Sequence, residues 1–485
     1  MNWITIKNNS KISLSSIPTI EIDVLREDIK ELKLRPIGFF GQHAFEGVKL
    51  FILLADDSKG EIQVSSAFFN KEEKEYECFT NINPAFHIFE REFYEQFNIK
   101  PKNHPWLKPL RHNQDDYPFF NMEGDEIHQV AVGPIHAGVI EPGHFRFMCN
   151  GEKVYHLEIM LGYQNRDVEE LMIQKHSNQL AESICGDSTI GHNMAYSQLI
   201  ETLSNTTISS KAEIIRRIAL EMERTAIHIG DLGAIAGDIA YLMGASVFGA
   251  TRTLVINTML DFCGSRFGKG FITKGGVNFD IDKTKIENAK NILNKVKKDV
   301  ERMTKTMLKT SSVISRLEKT GTVSQEKAKE VGLVGMVAKA SGVILDTRFD
   351  FKDKWIEKIG VEQKSYSSTG DVNARFKLRY KELRQSISII KKLFKELENY
   401  SAEPIKTQLK NLDKNQFAIS ITEGWRGEII HIALTDDNGK ICKYKIKDPS
   451  FNNWYGLALA VRNNGISDFP LCNKSFNLSY CGNDL

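Results

Sequence analysis

The stretch that most constrains the fold is residues 211–243, KAEIIRRIALEMERTAIHIGDLGAIAGDIAYLM. It contains no proline, and its first two-thirds are good helix formers. As a helix it places Arg217, Glu221, Arg224, His228 and Asp231 on one stripe, at alternating steps of four and three. A second stripe, Ile214, Ile218, Met222, Ile229 and Leu232, is apolar. The far end is crowded with Gly230, Gly233, Ala234, Ala236, Gly237 and Ala240. Small residues let neighbouring backbones come close, so this helix is expected inside a bundle. The charge pattern alone fits an exposed ion-pair ladder. The glycine and alanine content points instead to a buried polar network, where each charge needs a partner.

A chain of 485 residues has room for two or three domains. Its 41% hydrophobic and 26% charged residues are ordinary for a soluble globular protein. A net charge of +2 argues against a nucleic-acid binder held by a broad basic face. Seven cysteines, no two with CxxC spacing, exclude a disulfide framework and argue against a zinc ribbon or a cysteine-held iron–sulfur cluster. A reducing, cytoplasmic setting is expected, because the start MNWITIKNNSKIS lacks the apolar core of a signal peptide. The most apolar stretch, 232–259, is broken by Asp238 and Arg252, too polar for a lipid-facing span. Membrane association is therefore expected only through partner proteins.

The fold class expected is α+β. Residues 1–111 read as a small α+β unit, with strands in IGFFGQHAFEGVKLFILLAD and EIQVSSAFFN and helices near 24–34 and 85–97. The polar run 112–126 reads as a linker. Residues 127–485 read as a large helical bundle with small antiparallel sheets at its ends. Asn150-Gly151 and Asn438-Gly439 mark hairpins, and the helical region 166–398 is broken near 205–210, 264–280 and 341–370.

There is no Walker loop and no GxGxxG. His136, Glu141 and His144, in GPIHAGVIEPGHFRF, form either a proton relay or an ordinary hairpin loop. Cys185 lies in ICGDSTIGH with His192 seven residues on; Cys472 and Cys481 lie near the end. These thiols can meet at a soft metal or stand apart in packing. Arg348, and Asp371 with Arg375, can form buried ion pairs or cap helices.

Together, GPIHAGVIEPGHFRF, LGYQNRDVEELM, CGDSTIGH, RRIALEMERTAIHIGDLG, GSRFGKGFITKGGV, VGMVAKASGVILDTR and GDVNARF resemble the large subunit of NiFe hydrogenases. They resemble more closely its membrane-bound, energy-converting branch and the quinone-site subunit of respiratory complex I. EREFYEQFNIKPKNHPWLKPLR resembles the small complex I subunit beside it, and formate hydrogenlyase-type large subunits carry the two fused in this order. The resemblance implies a small iron–sulfur partner, membrane antiporter-like subunits, and ferredoxin-like or dehydrogenase subunits. It implies a place on the inner face of the cell membrane and a complex that passes electrons to hydrogen chemistry or to quinone, coupled to proton or ion translocation.

The sequence departs from the hydrogenase pattern at the metal. Of the four cysteine positions, Cys185 is kept, while Ser188, Ser479 and Gly482 occupy the others; Cys481 is one residue out of register. A NiFe centre is therefore not expected, nor is the extension that maturation proteases remove, since the chain stops at Leu485. His136 matches the histidine near the quinone headgroup, but the tyrosine facing it in complex I falls at about Gly186. Glu141 resembles a proton-relaying glutamate. Arg217, Glu221, Arg224, His228 and Asp231, with Arg348, match positions that couple the cleft to the membrane arm. The resulting expectation is a nickel-free oxidoreductase subunit, with an atypical hydrogenase using Cys185, Cys472 and Cys481, or a non-catalytic scaffold, as its rivals.

Overall fold

The computed structural model describes residues 2–112, 117–136, 138, 140–363 and 368–485. Residues 113–116 of the expected linker lie outside them. Near the N-terminus a four-stranded antiparallel sheet runs in the order Ile4–Ile6, Glu61–Asn70, Gly47–Asp56, Arg35–Ala44. Side chains alternate across a strand. Leu50, Ile52 and Leu54 therefore face the helices Ile22–Leu32 and His87–Phe97, where Leu25, Ile29, Phe89 and Phe93 complete a core. Phe51, Leu53 and Ala55 face the other way, onto Phe417, Ile419, Ile430 and Ile432. Both faces are covered, which is why these strands read as continuous apolar runs.

The second layer is the sheet Ile441–Lys447, Glu428–Thr435, Gln416–Glu423, with its hairpin at Asn438-Gly439 as the sequence indicates. Its fourth strand is Ser10–Ser13, from the other end of the chain, paired with residues 416–419. The sequence reading did not foresee that crossing, because a four-residue polar strand carries no periodic signal.

The helical core is built on Ser210–Asp238, capped by Ser209, whose hydroxyl accepts from Ala212 N at 3.1 Å. It packs against Leu242–Cys263, Lys283–Met307 and Val372–Glu398. The helix ends earlier than residue 243: Ala240 adopts a left-handed φ of 58° and the chain turns back. Small residues then do what their size predicts. A Cβ on Gly233 would stand 3.2 Å from Phe248, and one on Gly230 would stand 3.0 Å from Arg252. The break at 341–370 holds two short helices, Thr347–Asp350 and Lys354–Lys358. The Asn150-Gly151 hairpin joins His144–Asn150 to Lys153–Met160. Among the described residues no helix is long and apolar enough to cross a membrane.

Candidate functional site

Four positions converge on one buried spot. Cys185 follows the helix Asn178–Ser183, Ser188 precedes Thr189–Leu203, and Ser479 caps the last helix, Tyr480–Asp484. The Cys185 thiol lies 3.0 Å from Asp187 Oδ1 and 3.1 Å from Ser479 Oγ. Ser479 Oγ lies 3.4 Å from Cys481 Sγ and accepts from Gly482 N at 2.9 Å. Interaction with Cys481, then burial, pushes the Cys185 thiol well up, and the same interaction draws Cys481 down.

A NiFe centre does not fit this donor set. One in-register sulfur faces two hydroxyls and a glycine, and a Cβ on Gly482 would stand 2.7 Å from the Asp448 carboxyl carbon. Arg426 fills the remaining polar space. It forks onto Asp187 at 2.6 and 2.7 Å, and Nη1 reaches Cys185 Sγ and Ser188 Oγ at 3.3 Å each. A guanidinium beside a protonated thiol is the reverse of a cation site. Among the described residues no group of three or more His, Cys, Asp or Glu is arranged to hold a metal. Cys472, counted with the thiols that can meet at a metal, is instead buried against Gly321 and Arg375.

The expected proton loop stands beside this spot. Glu141 lies near Cys481 and opposes the downward shift of its thiol. The His136 ring stacks obliquely on Phe145 at 5.7 Å, and both its nitrogens are buried without a partner. His144 packs on Phe119 at 5.2 Å, its Nε2 unpartnered, and burial with Arg146 nearby lowers its pKa. His192 lies behind the site, fully buried, with Nε2 3.0 Å from Asp448 Oδ2 and Nδ1 3.1 Å from His431 Nε2. His431 Nδ1 in turn meets the Tyr444 hydroxyl at 2.7 Å. His192 thus reaches the site only through Asp448, as a positioning residue.

The charged stripe of the central helix is a buried network, with only Arg217 partly exposed. Asn477 joins it to the site: its carbonyl accepts from Arg426 Nε at 2.5 Å, and its amide donates to Asp231 Oδ1 at 2.7 Å. Asp231 is ion-paired with Arg379, whose Nη1 lies 3.4 Å from His228 Nδ1. His228 Nε2 meets Glu382 at 2.9 Å, and Lys339 binds Glu382 at 2.5 Å and Asp346 at 3.2 Å. Arg348 joins Asp346 at 2.6 Å to Glu221 at 2.8 Å. Arg224 pairs with Glu221 and donates to the carbonyls of Glu423 and Gly424. The far end opens on a cavity of about 300 Å³ lined by Glu221, Arg348, Glu423 and the Arg217–Asp353 pair.

Burial pushes Asp231 up to about 6, against the pull of Arg379. Burial, with Asp346 nearby, pushes Glu423 up to about 7. Burial drives His228 down to about 4. Glu382 lies well below the carboxylate range despite its burial, because Lys339 and His228 surround it. The network therefore holds groups that bind protons near neutral pH beside groups that do not.

Sequence reasoning missed Arg426, Asp448, Lys339 and Glu382. Lys339 and Glu382 sit in ordinary helices, and Arg426 and Asp448 in a turn and at a strand end; only the Gly-Trp-Arg-Gly run around Arg426 hinted at a tight turn. Of Arg348, Asp371 and Arg375, Arg348 forms the buried ion pair. Asp371 caps the helix Val372–Glu398 through Ala374 N at 2.8 Å. Arg375 is satisfied by Ser475 Oγ and the carbonyls of Gly370 and Gly321.

Residues 238–417 match the family described as "Respiratory-chain NADH dehydrogenase, 49 Kd subunit", and residues 34–122 match "Respiratory-chain NADH dehydrogenase, 30 Kd subunit". Formate hydrogenlyase subunit 5 of Escherichia coli (strain K12) is 27% identical over 375 residues, 76% of this chain and 65% of its own length. Hydrogenase-4 component G of the same organism is 25% identical over 452 residues, 87% of this chain and 78% of its own. The chain thus spans about two-thirds of the first relative and more of the second. In fold it is similar to a chain of the membrane-bound sulfane sulfur reductase, an archaeal respiratory membrane complex. The TM-score is 0.68 at 20% identity, covering 74% of this chain and 99% of that one. The chain is therefore similar, over its two parts, to the 30 Kd and 49 Kd subunits of the respiratory-chain NADH dehydrogenase and to subunits of formate hydrogenlyase and hydrogenase-4.

Proposed function

We propose that the chain is the large subunit of a membrane-bound, complex I-related oxidoreductase. It takes electrons from the iron–sulfur cluster of a small partner subunit, passes them to quinone or a similar acceptor, and couples this to proton or ion translocation. Antiporter-like membrane subunits, with ferredoxin-like or dehydrogenase subunits, complete the complex, and the chain sits peripherally on the inner face of the membrane through them. The observation that carries the reading is the continuous polar path from the Arg426 cluster, through Asn477 and Asp231, to the cavity at Arg217. A scaffold needs no such path, since a buried charge network is costly to keep.

His136, with two buried and unpartnered ring nitrogens, offers hydrogen bonds to the acceptor. Glu141 and His144 deliver protons beside it. A change of charge at Arg426–Asp187 reaches Asp231 through one asparagine, and each carboxylate–cation pair beyond can pass it on.

The test is made on membranes holding the whole complex. His136→Ala is expected to lower electron transfer by about 100-fold. Asp231→Asn is expected to keep electron transfer within about twofold while ion translocation per electron falls by about tenfold. Full turnover in His136→Ala, or unchanged translocation in Asp231→Asn, would overturn the reading.

A further inference from the structure

Two basic runs far apart in the chain lie side by side in the fold. On the helix Lys283–Met307 the exposed residues between 295 and 305 are Lys295, Lys298, Arg302 and Lys305, every one a cation. On the helix Val372–Glu398 the exposed residues between 381 and 395 are Lys381, Arg384, Ser388, Lys392 and Lys395, again without a carboxylate. Both sets recur at steps of three and four, so each forms one stripe along its helix. The two helices share a core through Leu293, Val296, Ile387 and Ile390, and Lys391 Nζ donates to Asn294 Oδ1 across the seam. Asn294 is one turn from Lys298, and Lys391 is one turn from Lys395, so the stripes run next to each other. The carboxylates within these runs are Asp299, Glu301 and Glu382. Asp299 and Glu301 are half-buried and bound to Arg302 and Lys305 of their own helix at 3.3 and 2.7 Å; Glu382 is buried in the ion-pair network. Positive charge is thus segregated to one face of a chain whose net charge is only +2.

We propose that this two-helix face binds the anionic headgroups of a phospholipid bilayer directly. Helical rise makes the stripes about 15 and about 21 Å long, enough to lie over several headgroups at once. Six of the eight exposed cations are lysines. Lysine is a hydrated point charge on a flexible stem, suited to a diffuse field of phosphates rather than to one fork-shaped partner. No aromatic or apolar side chain is exposed within either run. The face therefore lacks the anchors that hold a protein partner and the stacking platforms that hold single-stranded nucleic acid. The contact is one of surfaces, since among the described residues no helix is long and apolar enough to cross a bilayer. It adds a lipid contact made by this chain itself to the reading above, which seats the chain through partner subunits, and it stands whether or not that reading holds.

The experiment sediments the full chain with vesicles of phosphatidylglycerol and phosphatidylcholine in equal parts, and with vesicles of phosphatidylcholine alone. The expected result is binding to the first and not to the second, weakened about tenfold or more between about 0.05 and about 0.5 M salt. The combined variant Lys295→Gln, Lys298→Gln, Arg384→Gln, Lys395→Gln is expected to bind about tenfold or more weakly. The control is Lys7→Gln, Lys71→Gln, Lys74→Gln, Lys440→Gln, at lysines exposed elsewhere. It changes the net charge equally and is expected to stay within about twofold of the unaltered chain. Both variants are checked for folding by circular dichroism. Equal losses in the two would make the binding a matter of net charge and overturn the proposal. So would absence of binding to the anionic vesicles, or equal binding to the neutral ones. Release from the anionic vesicles by duplex DNA of equal phosphate content would assign the face to nucleic acid and overturn it too.

Discussion

Glu223 faces no cation closely; its carboxylate accepts from Ile190 N at 2.7 Å and Gly191 N at 3.2 Å, at the start of a buried helix. Burial pushes it up to about 8, from an ordinary value of 4.5. The folded state therefore keeps a proton that the unfolded chain gives up. Its contribution to stability is full below the unfolded value and is lost as pH rises through the folded one. Glu223→Gln should flatten this decline, narrowing the difference in Tm between about pH 5 and about pH 9 by about 5 °C. An unchanged pH dependence in thermal melts would contradict this. Arg426 carries the larger stake. Arg426→Ala leaves Asp187 and the site hydroxyls without their donor and should cost about 3 kcal/mol in urea unfolding. Arg426→Lys should recover little of this, since a single ammonium cannot fork onto Asp187. A cost below about 1 kcal/mol would show the pair to be a surface contact.

Much of the site was legible at this scale because substitution at a motif position is visible in the sequence itself: Ser188, Ser479 and Gly482 announce the missing thiolates. What replaced them was not. Arg426 and Asp448 come from a turn and a strand end more than 230 residues from Cys185. Only the fold brings such charges to the site, and no spacing rule encodes that.

Among the elements, the turn at residues 424–427 sets where Arg426 points. It is held down by Gly335, at φ +60°, where a Cβ would stand 2.0 Å from Arg426 O. Gly335→Ala must move that backbone and should cost about 3 kcal/mol in chemical denaturation. Gly138, also at positive φ but with nothing within 4 Å of a Cβ, is the control; Gly138→Ala should cost only ~1 kcal/mol. Equal losses at the two positions would mean that φ, not the close approach, is decisive. The central helix shows how far periodicity reads. Its two stripes and its small-residue end are as the sequence indicates, since they follow from 3.6 residues per turn. Its end was misplaced by five residues, because apolar residues continue into the next helix and the turn rests on one left-handed alanine.

Taken whole, the molecule is joined at its two ends. Ser10–Ser13 completes the sheet that contains residues 416–447, and Ile37, Phe40 and Phe51 share one core with Phe417, Ile430 and Ile432. A chain cut to residues 127–485 exposes that apolar sheet face and its unpaired edge. It should aggregate, or melt ~10 °C or more below the full chain, which should itself unfold in one transition. Two separate transitions in the full chain by calorimetry would contradict this.

The polar path to the helical core begins at a cluster of thiols, hydroxyls and Arg426 whose donor set does not suit nickel. This is tested most directly by the nickel content of the intact complex, purified from cells grown with ample nickel and measured per large subunit by plasma mass spectrometry. Nickel is expected far below stoichiometry, and unchanged when Ser188, Ser479 and Gly482 are all replaced by cysteine, because Asp448 and Arg426 still occupy the space. Near one nickel per chain in the unaltered complex would contradict it.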